Sequence, residues 1–123
     1  MSNTTKVKWV SEPDEKDYPA AASYLSLFNS KKTVKKVLAR LMKAPITQFA
    51  AKDISRASCL PLLGVSNSQV ELDRKKISEG KPLSPILLVR DERNGKVVIA
   101  DGYHRLCAVY SYNEDESIPC KII

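Results

Sequence analysis

Val97-Val98-Ile99-Ala100-Asp101-Gly102-Tyr103-His104-Arg105-Leu106-Cys107-Ala108 changes its period in mid-run. Val97–Ala100 suits a buried strand, Asp101-Gly102 suits a turn, and Leu106, Val109 and Tyr110 then fall inward at helical spacing. A strand that passes through one glycine straight into a helix commits this part of the chain to a mixed α and β fold. Just upstream, Asn94-Gly95 is a two-residue hairpin signal, which makes Val97–Ala100 the return strand. Its partner is Pro85–Arg90, where Ile86-Leu87-Leu88-Val89 is a continuous apolar run suited to a strand buried on both faces. Downstream, Asn113–Glu116 reads as an acidic loop and Ile118–Ile123 as a closing strand.

Further toward the N-terminus, Ser68–Ser78 predicts a helix with Val70 and Ile77 inward, stopped by Gly80 and Pro82. Pro61, Gly64 and Asn67 punctuate a loop before it. Ile46–Ala50 predicts a short strand, followed by a turn of helix around Lys52–Ala57. Before Pro45 lies a helical hairpin over 17–44. Its first helix is expected to be capped by Asp17, with Pro19 in the first turn and Ala21, Tyr24, Leu25 and Phe28 at helical spacing. Asn29-Ser30 breaks that helix and caps the next, Lys31–Lys43. There Val34, Val37, Leu38, Leu41 and Met42 form one apolar stripe. Met1–Asp17 reads as a polar arm that docks through Trp9. The expected architecture is α+β: a small mixed sheet with helices over 46–123, preceded by an arm and helical hairpin over 1–45 packed on that core as one compact unit.

The chain has 123 residues, a length for one domain with one modest core. A single histidine excludes sites that need two, including the common zinc hydrolase and zinc finger patterns, and no metal site is expected. No apolar run approaches the roughly 18 residues of a membrane span, and Met1–Trp9 lacks the apolar stretch of a signal peptide. Cys59, Cys107 and Cys120 are odd in number and lack a CxxC pairing, so reduced, mostly buried thiols are expected, with only Cys107 near a basic setting. Together these features point to a cytoplasmic protein with no membrane partner. The formal charge is +6, and six cations sit on the second helix alone: Lys31, Lys32, Lys35, Lys36, Arg40 and Lys43. That face suits nucleic acid, since several phosphates could be neutralised at once; the plainer alternative is a solvated amphipathic helix. Residues 91–121, by contrast, hold six acids against four Lys or Arg.

The turn at Asp101–Arg105 is where chemistry is expected. A helix start leaves backbone N–H groups unpaired, and its dipole favours an anion. Gly102 would allow close approach of a ligand, His104 adds a titratable donor, and Arg105 adds a permanent bidentate one. Main-chain amides, a cation and little bulk are what a phosphate needs. The plainer alternative is that Arg105 pairs with a nearby acid such as Asp101. Neither GxGxxG nor GxxxxGK[ST] is present.

From about Ile46 to Ile122 the chain resembles the ParB/sulfiredoxin superfamily. The residues that carry the likeness are Leu83-Ser84-Pro85-Ile86-Leu87-Leu88-Val89, Asn94-Gly95, Ile99–Arg105 and the closing Ile118-Pro119-Cys120-Lys121-Ile122. ParB-like proteins carry Gly-Glu-Arg-Arg-x-Arg-Ala at the motif and sulfiredoxins carry Gly-Cys-His-Arg. A branch related to DNA-modification proteins carries Asp-Gly-Gln-His-Arg, which is nearest to this chain. The resemblance implies that Gly102, His104 and Arg105 hold nucleotide phosphates, with a nucleoside triphosphate and Mg2+ as the implied cofactor. Tyr103 stands where sulfiredoxins have their nucleophilic cysteine and ParB proteins their glutamate, so sulfinic acid reduction is not expected; Tyr103 would stack on the ligand or shape the pocket. On the preceding helix sulfiredoxins place small hydroxyl residues toward the nucleotide, whereas this chain departs from them with Leu72 and Lys76; Arg74, Lys75 and Lys76 would bring positive charge to phosphates or form a solvated face. Asp101 would orient His104 or Arg105, or help to hold magnesium. Three functions stay open: a nucleotide- or phosphate-binding domain with weak NTPase activity, with His104, Arg105 and Asp101 as catalytic candidates; a nucleic-acid-associated module with nuclease activity; and an interaction or regulatory module without chemistry, acting on a protein partner or as a homodimer.

Overall fold

A computed structural model describes residues 6–123 of the chain. The elements run α1 (Asp17–Leu25), α2 (Lys31–Lys43), β1 (Thr47–Ala50), α3 (Ala51–Ser58), α4 (Ser68–Ser78), β2 (Ile86–Asp91), β3 (Lys96–Asp101), α5 (Tyr103–Tyr112) and β4 (Ser117–Ile122). Among the described residues the fold is α+β, with five helices around one mixed sheet of order β1-β4-β2-β3. β4 is antiparallel to β1 and parallel to β2, and β2 is antiparallel to β3.

The apolar run of β2 divides between the two faces of this sheet, because side chains alternate along a strand. Leu87, with Ala100 of β3, packs against Ala21 and Leu25 of α1 and Val34 and Leu41 of α2. Ile86 and Leu88, with Val97 and Ile99, pack against Ile54 of α3, Val70 and Ile77 of α4, and Leu106 and Val109 of α5. Both faces are therefore covered by helices, the arrangement that a continuous apolar strand requires. The segment before α1 is anchored as well. Lys8 accepts from the Leu83 amide at 2.8 Å, Val10 donates back to the Leu83 carbonyl at 2.9 Å, and Val7 and Trp9 join the α3–α5 cluster.

α2 spans the expected residues, and Ser30 caps it by accepting from the Thr33 amide at 3.2 Å. Val34 and Leu41 are buried, but Met42 at the margin of the stripe is exposed, as are Tyr24 and Phe28 of the first helical segment. Around Lys52–Ala57 the expected single turn is a helix of eight residues. Two local expectations are corrected. The β2–β3 connection is four residues long, Glu92 to Gly95, because Asp91 pairs with Lys96 and holds Asn94 through its carboxylate; only Gly95 takes positive φ, at 63°. Asp17 does not cap α1. Lys16 occupies that position, and the Asp17 carboxylate, in the first turn, points into the protein.

Candidate functional site

β3 ends at Asp101, and Gly102 turns the chain into α5 with φ 112° and ψ 14°. An L side chain would be strained there. It would also have no room: a Cβ on Gly102 would lie 2.6 Å from Ile86 Cβ, closer still to Ile86 Cγ2, and 3.0 Å from Arg105 Nη2. The missing side chain thus makes space for the core and for Arg105, and that space is not open to a ligand.

Arg105 leaves the first turn of α5 and meets two carboxylates. Its Nη2 donates to Asp101 Oδ2 at 2.7 Å, and its Nη1 lies 3.4 Å from Asp17 Oδ2 and donates to the Ser84 hydroxyl. Ser84 in turn donates to Asp17 Oδ2 at 2.9 Å. The Arg105 side chain is 13% exposed and that of Asp17 8%. The pairing with Asp101, the plainer of the two expectations for Arg105, is therefore present, and Asp17 doubles it. Burial raises the Asp101 carboxyl to about 6; Arg105 opposes the shift and neighbouring Asp17 adds to it.

The cluster forms one wall of a cleft of about 480 Å³. His104 and Arg105 of α5, Gly102, Asp101, Ser84 and the α1 start at Lys16 and Asp17 face Gln69, Asp73 and Lys76 of α4 across it. α5 has no side-chain cap, so the amides of its first turn have no side-chain acceptor, and Gly102, His104 and Arg105 at this positive end of the helix dipole line the space. Among the described residues, Lys16, Lys76 and His104 form no ion pair. Asp73 is 4% exposed, and burial raises its carboxyl above its ordinary value against the opposing charges of Lys76, Arg105 and His104.

Of the residues expected at the site, Asp101, Gly102, His104, Arg105 and Lys76 come together. Tyr103 does not. It turns to the other side of α5, where its hydroxyl donates to the Pro61 carbonyl and its ring packs with the α3–α5 cluster. Arg74 is also elsewhere, over the Tyr112 ring at 4.6 Å and bonded to Ser111, and Leu72 is exposed outside the cleft. Cys107 is buried, accepts from the Leu63 amide at 3.4 Å, and has a thiol whose pKa burial raises, the opposite of an activated nucleophile. Cys120 is likewise buried and only Cys59 is exposed; all three are free thiols. The six cations of α2 lie outside the residues that line the cleft. Among the described residues no three His, Cys, Asp or Glu side chains converge on a point that could hold a metal ion. No described helix is long and apolar enough to cross a membrane.

Five site residues escaped the sequence: Asp17, Ser84, Asp73, Lys16 and Gln69. Nothing local distinguished the first two, because their role depends on a contact with Arg105 made across the fold. Asp73 left a signal. It lies three residues after Val70 and four before Ile77, on the inward stripe of α4, where an acid has no structural reason to be.

The chain matches no family model, no curated protein and no solved structure. The likeness to the ParB/sulfiredoxin superfamily therefore rests on the motif residues alone.

Proposed function

We propose that the cleft at the start of α5 binds a small ligand bearing a phosphate group, nucleotides included. The observation that carries this is the uncapped α5 N-terminus at a cleft where, among the described residues, Lys16, Lys76 and His104 form no ion pair. Main-chain amides and cations suit a phosphate with no further assumption. The resemblance of Asp101–Arg105 to a phosphate-holding motif supports the same reading. Its residue roles differ from the family's: His104 and Lys76 contact the anion, whereas Arg105 holds Asp17, Ser84 and Asp101 in place. Magnesium enters this reading only as an ion carried by the phosphates, with Asp101 as a single added ligand.

The acid-rich wall makes this binding pH-dependent. With Asp101 titrating near 6, acidification removes a negative charge from the wall and frees one edge of Arg105 for the phosphate. Calorimetric titration with pyrophosphate, and with a nucleoside triphosphate plus magnesium, tests the proposal. Heat is expected from both probes, larger in affinity below pH 6 than at pH 7.5. His104→Ala and Lys76→Ala should each weaken binding about tenfold, the worth of one charge-assisted hydrogen bond. A folded protein that gives no heat with either probe would exclude phosphate binding at this cleft.

A further inference from the structure

We propose that the outer face of α2 is a second binding surface, one that grips the phosphates of duplex DNA without reading its sequence. At about 100° per residue, Val34, Val37, Leu38 and Leu41 occupy an arc of about 100°, and the six cations fill about 180° of the remainder. The structure turns the apolar arc onto the sheet, with Val34 and Leu41 buried against Leu87 and Ala100. The cationic half is consequently fixed outward along a straight helix about 18 Å from Lys31 to Lys43.

Among the described residues these charges have no ion-pair partner. All six side chains are exposed. Nor is an acid near in sequence, since none occurs between Asp17 and Asp53. Outside α2 the chain holds 14 Lys or Arg and 14 Asp or Glu, so its whole net charge of +6 belongs to this one face. Such a concentration repels itself and calls for a dense polyanion. Duplex DNA presents one charge per about 1.7 Å of its axis and a major groove about 12 Å wide that admits a helix. The surface is convex and carries no aromatic side chain among its lysines, so it offers neither the groove nor the stacking platform that single strands use. A membrane surface is disfavoured because the apolar side that would enter it is occupied by the core. Five of the six cations are lysines, point charges without the planar fork that reads guanine, hence binding without sequence preference.

The test is fluorescence anisotropy of the intact protein with labelled duplexes of about two helical turns and unrelated sequence, from about 50 to about 200 mM salt. Both duplexes should bind alike, with a log–log salt slope between about −3 and −5, as three to six phosphate contacts require. Lys32→Gln/Lys36→Gln/Arg40→Gln/Lys43→Gln should weaken binding at least about 100-fold at the lower salt with an unchanged circular dichroism spectrum, because no packed or paired group is removed. Arg93→Gln/Lys96→Gln, on the β2–β3 loop and at the start of β3, should leave binding intact. The inference is overturned by no binding at the lower salt, by retained binding in the fourfold variant, by tighter binding of a single strand of equal length, or by binding only to phosphatidylserine vesicles or to a poly-glutamate peptide. None of these outcomes depends on the cleft.

Discussion

The guanidinium of Arg105 touches side chains from α1, from the segment before β2 and from the end of β3, so one residue ties together three parts of the chain. Its neighbours pay unequally for being buried. Asp101 titrates near 6 in the folded protein against about 3.9 in an unfolded chain, chiefly because burial disfavours its charged form. A raised acid pKa means that the folded state binds the proton more tightly. The associated stabilisation is full below about pH 4 and is lost as pH rises through about 6, a change of about 3 kcal/mol. Asp101→Asn removes the titrating group, so the difference in unfolding free energy between the variant and the natural chain should shift by roughly that amount across this window. Urea unfolding at half-unit steps from pH 4 to pH 7 measures it, and two curves that run parallel would refute the assignment. Asp73, also raised by burial, remains in both proteins and cancels in the difference.

At the scale of elements, the β3–α5 junction shows what a sequence reveals and what it conceals. The change of period at Gly102 is visible in the residues themselves, and so are the span of α2, the α4 boundaries and the two-sided burial of β2, since each follows from spacing or from a local cap. The reason for the glycine is not visible. It depends on Ile86, which lies 16 positions earlier and meets Gly102 only because β2 and β3 pair. Gly102→Ala should cost about 2–5 kcal/mol, combining left-handed strain of about 1–2 kcal/mol with overpacking of about 1–3 kcal/mol. The two parts can be separated. In an Ile86→Gly background both clashing atoms, Cβ and Cγ2, are gone while the strain persists, so the second substitution should cost about 1–2 kcal/mol there. Equal costs in both backgrounds, read from denaturant midpoints, would show that Ile86 is not what excludes the side chain. The same non-locality hid Asp17 and Ser84. It also explains Tyr103: helical spacing gives its angle on α5, but not that the Pro61 carbonyl waits on the opposite side from the cleft.

For the whole molecule, the question is whether 46–123 can stand without the hairpin before it. Its residues contain all four strands and three of the five helices, which is why the sequence invites a boundary at Pro45. The sheet argues otherwise. Leu87 and Ala100 are covered by α1 and α2, with half-buried Val89 and Val98 beside them, so removing the hairpin would bare a contiguous apolar face. A sheet with two apolar faces has no stable arrangement with one of them in water. The loss also reaches the site, since Asp17 leaves Arg105 with only Asp101 as a carboxylate partner, and α2 gives up the bond from buried Lys121 Nζ to the Met42 carbonyl at 2.8 Å. A chain beginning at Ile46 should therefore bind ANS, retain far-ultraviolet circular dichroism while losing near-ultraviolet signal, and melt without a cooperative transition. Adding residues 6–45 as a separate peptide should restore the transition, because the missing element is a covering surface and not a covalent connection. A truncated chain that melts cooperatively and excludes the dye would instead make the hairpin an accessory, leaving α2 attached to a core that folds without it.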